Sequence, residues 1–450
     1  MAAADGHVRL FAVLWALAHL VHVLRHAEPG SLVTWAVVVA ALLLAARPDR
    51  GWSLATLATV QVAHAALLLP LMPNHYLLMA FGNLGLLVVL AHRWNIPTAL
   101  ARDWFAYLRW VLAIAYGAAA VAKLNTGFFS EYTCAATLFY DSARAFGAPQ
   151  LPVTVEALLP YLTATAELGV VVLLLVPATR TAGVALAVGL HLVMAISPTA
   201  FAGLGFTAAV FAFVVPFMSP ALMAYLLEHV DRWMEAIAGW RRDVRRLVGV
   251  LAAGVYVAAA GGHIPLPEGP FFERGWWLTA PVIAAVGGGI LMGCWVTRSQ
   301  RPAPLVFRVR SPVAVGVVAL VALTAAAPYL GSRTLMTFSM YSNLETARGE
   351  SNHFLIPRLP REGSQDDLVT IHESDNPRLM NAANHGAQVT WHELRRELAE
   401  HPEDALVYER QGEVFDLDRA ADDPDLASTH PVWHRLVAHR DVSPEPLCRW

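Results

Sequence analysis

Eleven apolar runs, each close to the roughly twenty residues that a helix needs to cross a bilayer, occupy the first three quarters of this 450-residue chain. They fall at roughly 8–26, 31–46, 52–71, 76–92, 103–121, 157–176, 181–198, 200–217, 247–264, 277–296 and 311–329. Inside a bilayer no water satisfies backbone N–H and C=O groups, so such runs must close their hydrogen bonds internally, as helices. The expected fold class is therefore an α-helical polytopic membrane protein of about eleven spans. The runs on either side of Ser197-Pro198 read equally as two helices or as one bent element. The first run carries His19 and His22 and lacks a small-residue cleavage pattern, so it reads as a retained helix.

Charge divides the chain in two. Residues 330–450 hold 33 of the 67 charged residues, so a membrane domain over 1–329 is expected to be followed by a soluble α/β domain over 330–450. In that tail, 368–372 and 405–417 alternate like strands with a turn at Gln411-Gly412. Residues 390–400 read as an amphipathic helix capped by Thr390, with Glu393 placed to complete a capping box. Arginine placement gives an orientation, because cytoplasmic loops are enriched in basic residues. Arg47, Arg50, Arg93, Arg102, Arg180, the group from Arg232 to Arg246 and the group from Arg298 to Arg310 fall in alternate loops. That pattern puts the N-terminus in the cytoplasm and the tail outside a multi-pass inner (plasma) membrane.

The chain contains a single lysine, Lys123, at the outer end of the fifth run; the other 31 of its 32 basic side chains are arginine. A buried amine can give up its proton whereas a guanidinium cannot, so position 123 reads as a base. A lysine snorkelling from a helix end to the interface is the alternative. The same topology brings His75, in the outer connection Pro73-Asn74-His75, and His191, about two turns below the outer end of the seventh run, to the leaflet of Lys123. Glu167 sits mid-span in the sixth run and reads either as an ion-pair partner or as a group bonding a broken helix. His64 and the face formed by His19, His22 and His26 read as core histidines bonded to neighbours or as part of the same outer cavity. Residues 128–146 are aromatic but too polar to span, and read as an interfacial helix, either a lid over Lys123 or a plain connector. Cys134 and Cys448 fall on the outer side, where they could be joined or isolated, and Cys294 is expected to be free. No metal-ligand spacing, phosphate loop or nucleophile motif stands out, and no nucleic-acid partner is expected.

Ala122-Lys123-Leu124-Asn125, Glu167-Leu168-Gly169 and His191-Leu-Val-Met194, followed by an aromatic span ending Phe217-Met-Ser-Pro220, resemble the vitamin K-dependent gamma-carboxylase family. The bacterial members with a horizontally transferred transmembrane domain are the more similar. Met340-Tyr-Ser-Asn343 through Ser351-Asn-His353 resembles the segment that opens the outer domain there. The resemblance implies a lyase with epoxidase activity, using a reduced vitamin K (a menaquinol-type hydroquinone), O2 and CO2, without a metal. It implies that Lys123 deprotonates the hydroquinone, that His191 and His75 are catalytic beside it, and that Asn74, Asn125, Phe128, Tyr132, Glu167, Met194 and His353 belong to the quinol site. Its partners would be the bilayer, an isoprenoid quinol and a secreted glutamate-containing peptide. The animal enzymes have Lys-Lys-Leu-Asp where this chain has Ala-Lys-Leu-Asn, and a much larger lumenal domain. A quinol oxygenase or epoxidase without a peptide partner is the enzymatic alternative. From another class, a transporter or lipid-binding protein would use Lys123 and Glu167 as an ion-coupling pair.

Overall fold

The computed structural model describes residues 2–26, 31–93, 97–130, 140, 144, 147, 149–196, 203–238, 249–250, 252–258, 276–300, 304–357, 364–427 and 433–443. Among the described residues, the longer helices before residue 330 are α1 (Ala2–His26), α2 (Leu32–Ala46), α3 (Gly51–Leu67), α4 (Asn74–Arg93), α5 (Pro97–Ala122), α6 (Leu159–Leu175), α7 (Arg180–Ile196), α8 (Gly203–Phe213), α9 (Pro220–Ala238), α10 (Trp276–Val296) and α11 (Pro312–Ala326). Among the described residues, six helical segments are long and apolar enough to cross a membrane, namely 6–24, 74–91, 102–122, 153–175, 177–195 and 276–296.

Of the other five expected runs, 247–264 lies partly outside the described residues, and the remaining four fall short for physical reasons. At 1.5 Å per residue the 15 residues of α2 and of α11 reach about 22 Å, short of a hydrocarbon core of about 30 Å. The 11 residues of α8 reach only about 17 Å before Pro216 interrupts the chain in a 3-10 turn. Helix α8 is also enclosed rather than lipid-facing, with Leu204 and every residue from Thr207 to Phe213 buried. Helix α3 carries Ser53, Gln61 and His64 inward, which lowers its apolar content. One other expectation changes. The arginine-bearing connection after Pro220 is helical over α9, started by Ser219 Oγ accepting from Leu222 N (3.1 Å) and carrying an i,i+4 Glu228–Arg232 pair. Phe128 and Phe129 form a tight turn, and most of the expected interfacial helix, including Tyr132 and Cys134, lies outside the described residues. Cys294 is free and buried; Cys448 also lies outside them.

Buried polar groups in the bundle are tied to one another. Arg109 of α5 donates to Pro216 O (2.9 and 2.8 Å) and to Val306 O (2.6 Å). Trp15 Nε1 donates to Asn83 Oδ1 (2.8 Å), Asn83 Nδ2 to Gln61 Oε1 (2.9 Å), and Gln61 Nε2 to Tyr76 O (3.3 Å). His19 Nδ1 lies 2.7 Å from Trp15 O, which can only accept, so Nδ1 carries the proton and Nε2 accepts from Asn83 Nδ2 (3.3 Å). Buried polar groups are expected to be bonded in this way, and His19 and His64, the latter 2.7 Å from Tyr76 Oη, take structural places between α1, α3 and α4.

The tail forms a four-stranded antiparallel sheet of order β2-β1-β3-β4, from β1 (Leu368–Ser374), β2 (Gln388–Thr390), β3 (Leu406–Arg410) and β4 (Glu413–Leu417). Gln411 and Gly412, both at positive φ (54° and 84°), make the β3–β4 hairpin turn that the sequence pattern requires. Helices α12 (Pro377–Asn384) and α13 (Trp391–Glu400) cover the sheet. Thr390 Oγ1 caps α13 by accepting from Glu393 N (3.2 Å). Glu393 does not close a capping box; its fully buried carboxylate takes Arg396, Arg378 and the backbone N of His439 (2.9 Å) instead.

His439 Nε2 bonds Ser364 Oγ (2.8 Å), and the His392 ring stacks on His434 with centroids 4.6 Å apart. Burial, with His434 beside it, lowers the His392 pKa to about 4; burial, with His392 and Arg396 nearby, lowers that of His439 to about 3. Because both folded values lie below the unfolded value of about 6.5, the unfolded tail binds more protons in this window. Tail stability is therefore expected to fall as pH drops from about 6.5 towards 4. Glu393, pushed up by burial against the pull of Arg396, opposes part of that loss as it takes a proton. Thermal melts monitored by tail tryptophans across pH 7 to 4 check this, and His439→Asn should flatten the slope; a flat wild-type profile contradicts it.

Candidate functional site

Helix α5 stops at Ala122 because Asn125 finishes it. The Asn125 Nδ2 donates to the otherwise unpaired Ala122 O (2.6 Å) and to Ser342 O (2.7 Å), while its Oδ1 accepts from Phe128 N (2.8 Å) and Asn352 Nδ2 (3.3 Å). Segment 338–354 is stitched to this helix end from more than two hundred residues away. Thr126 N donates to Asn352 O (3.0 Å), Phe354 N to Leu124 O (2.9 Å), and Asn125 pairs with His353 as an antiparallel bridge. His353 Nδ1 accepts from Leu355 N and Ile356 N (3.0 Å each), so Nε2 carries the proton and donates to Val121 O (2.8 Å). Asn125 and His353 therefore act as frame.

Lys123 is 2% exposed, with its Nζ 2.9 Å from Glu167 Oε2 and donating to Met340 O (3.2 Å). The Phe128 ring lies 5.7 Å from the ammonium nitrogen. Beside the pair is a cavity of about 30 Å³ bordered by Asn74 of α4, Tyr116 of α5, Lys123 just past its end, Glu167 of α6, His191 and Met194 of α7, Phe206 of α8, and Phe338, Met340 and Tyr341 of the stitched segment. His191 packs edge-on against Phe206 (4.7 Å) and Tyr116 (5.8 Å). The Tyr116 hydroxyl and His191 Nδ1 are buried there without a hydrogen-bond partner among the described residues. Two such groups next to an ion pair can bond a polar visitor, and a buried unbonded hydroxyl or imidazole nitrogen costs about 1–3 kcal/mol. The volume suits about one water, or the oxygen end of a larger molecule once the wall withdraws.

His75 does not border the cavity. Its Nε2 lies 2.8 Å from His22 Nδ1, the His22 ring stacks on Tyr76 (3.9 Å), and Gly205 leaves the room, since a Cβ there would stand 2.7 Å from His75 Nε2. Gly205→Ala is accordingly expected to push the two imidazoles apart and to cost about 1–3 kcal/mol as overpacking. A melting curve in detergent checks it, and an unchanged transition would mean that His75 yields freely.

Tyr116, Phe206, Phe338, Met340 and Tyr341 were not among the expected site residues. A signal for Tyr116 was present, since it precedes Lys123 by seven residues, two helical turns, on a face otherwise made small by Ala119. Nothing local marks the 338–341 segment as part of an α5 site. No group of three or more His, Cys, Asp or Glu side chains is placed to hold a metal among the described residues. Comparison of the chain with protein-family models, curated proteins and solved structures returns no match.

Proposed function

We propose that the protein is an integral membrane, quinol-dependent enzyme of the vitamin K-dependent gamma-carboxylase kind, with its N-terminus in the cytoplasm and its tail and Lys123 on the extracytoplasmic side. The observation that supports this reading best is the chain's single lysine, buried against Glu167 beside two unpartnered polar groups, Tyr116 Oη and His191 Nδ1. Glu167 can take the proton of Nζ and leave a free amine, which is the form that removes a proton from a phenolic hydroxyl. Tyr116 Oη and His191 Nδ1 then bond the oxygen from which that proton came and hold it against Lys123. A bound hydroquinone would supply the acidic hydroxyl and, with O2, the driving force for adding CO2 to a peptide glutamate. The polar set fits such an oxygen, whereas the cavity of about 30 Å³ holds no aromatic ring, so the side chains of Met340, Phe338 and Phe206 must swing aside for entry. Unbranched methionine does this readily. Around the pair, Tyr116, Phe206 and Phe338 keep water from the reacting oxygen.

The same ion pair favours one rival, a transporter in which Lys123 and Glu167 couple ion movement to substrate. Mass spectrometry of the lipids that accompany the purified protein, followed by a quinone-epoxide assay with the reduced form, separates the two. A bound quinone that is turned over supports the enzyme; no quinone and no turnover, with solute uptake in proteoliposomes, overturns it.

A further inference from the structure

Two large apolar side chains stand exposed beside the C-terminal end of α5. Phe354 and Leu355 are 55% and 75% exposed at a bend immediately after the Asn125–His353 bridge. They do not dangle. Phe354 N is bonded to Leu124 O and Leu355 N to His353 Nδ1, and His353 in turn holds Val121 O, so the bend is pinned to the last turn of α5 from both sides. The Phe354 ring stacks on Phe129 (5.9 Å), which meets Tyr161 in the first turn of α6 (4.7 Å). Tyr161 and Leu162 are themselves 56% and 58% exposed, and the apolar face they begin runs down α6 through Leu168, Val172 and Leu175. That helix belongs to a segment long and apolar enough to cross a bilayer, with only a third of it buried in the protein.

We propose that the Phe354-Leu355 bend is a membrane-inserted tip by which the tail's base dips into the outer leaflet beside α6. The occupant of this surface is lipid, because the patch is continuous, ring against ring, with a helix face that already requires lipid. Its depth is set by α6. Glu167 lies six residues below Tyr161, about 9 Å along the helix, so the tip rides at the headgroup–acyl boundary roughly one and a half turns above the Lys123–Glu167 pair. Phenylalanine, tyrosine and leucine side chains at that level suit the interface, as they do in interfacial anchors. Insertion there keeps segment 338–354, which supplies one wall of the Lys123 cavity, at a fixed height over α5.

The test is a nitroxide at position 355 (L355C) in the full chain carrying C134S, C294A and C448S, reconstituted in phosphatidylcholine–phosphatidylglycerol vesicles. Accessibility to oxygen, which partitions into lipid, is compared with accessibility to a water-soluble nickel chelate. Position 162 (L162C) serves as the lipid reference and position 413 (E413C) as the aqueous one. The expected result is severalfold higher collision with oxygen than with the chelate at 355, as at 162 but at a shallower depth. Chelate accessibility like that at 413 overturns the proposal. So does a label shielded from both reagents, because it would mean that protein, not lipid, covers the bend. Leu355 is three-quarters exposed, so a label there is tolerated, and the outcome does not depend on the quinol chemistry.

Discussion

Lys123→Arg is expected to lower quinol turnover by about 10²–10⁴-fold, the range that a positioned general base contributes, while leaving the protein folded. Arginine retains the positive charge that faces Glu167 at 2.9 Å and can still donate to Met340 O, so the ion pair that joins the end of α5 to the middle of α6 survives in kind. What it loses is the free-base form. Epoxide formation in detergent, measured beside an unchanged melting temperature, reads the effect. Near wild-type turnover would show that position 123 supplies charge rather than basicity. Glu167→Gln provides the complementary arm, because an amide oxygen can still accept a hydrogen bond from Nζ but cannot take its proton. Its turnover should fall too, and in a transporter of the rival kind it would instead abolish ion coupling.

Asn125→Ala is expected to cost about 2–4 kcal/mol, the largest effect on stability from one exchange near the site. The side chain is wholly buried and makes four hydrogen bonds, two to carbonyls of Ala122 and Ser342 and two from Phe128 N and Asn352 Nδ2. Alanine leaves those partners in a space that water does not reach readily, which is the expensive way to lose a hydrogen bond. Asn125→Asp should be nearly as damaging, because a carboxylate repels both carbonyls that the amide N–H groups now serve. Since Asn125 joins the end of α5 to segment 342–352, either variant should also separate the Lys123 end of the cavity from its Met340 wall and lower activity with stability. A variant with an unshifted transition in detergent would show that the junction is held by the bridge to His353 alone.

The sequence by itself determined that this chain is a membrane-helix protein with a polar α/β tail, since run length and composition are local properties that follow from how helices satisfy their backbone. It determined the β3–β4 turn at Gln411-Gly412 and the Thr390 cap, which depend on neighbouring residues only, and it singled out Lys123 by composition. Tertiary structure decided the rest. Hydropathy could not tell the enclosed helix α8 from a lipid-facing span, because a core and a bilayer look alike to an apolar side chain. It could not say that Glu393 would leave its own cap for Arg396, Arg378 and His439, or that His75 would turn to His22 through the space that Gly205 leaves. Nor could any local pattern bring Met340 O to Lys123 Nζ across 217 positions. Periodicity says which face of an element is apolar; which other element meets that face is settled by how all the helices share one interior, and the cavity at Lys123 exists only at that level.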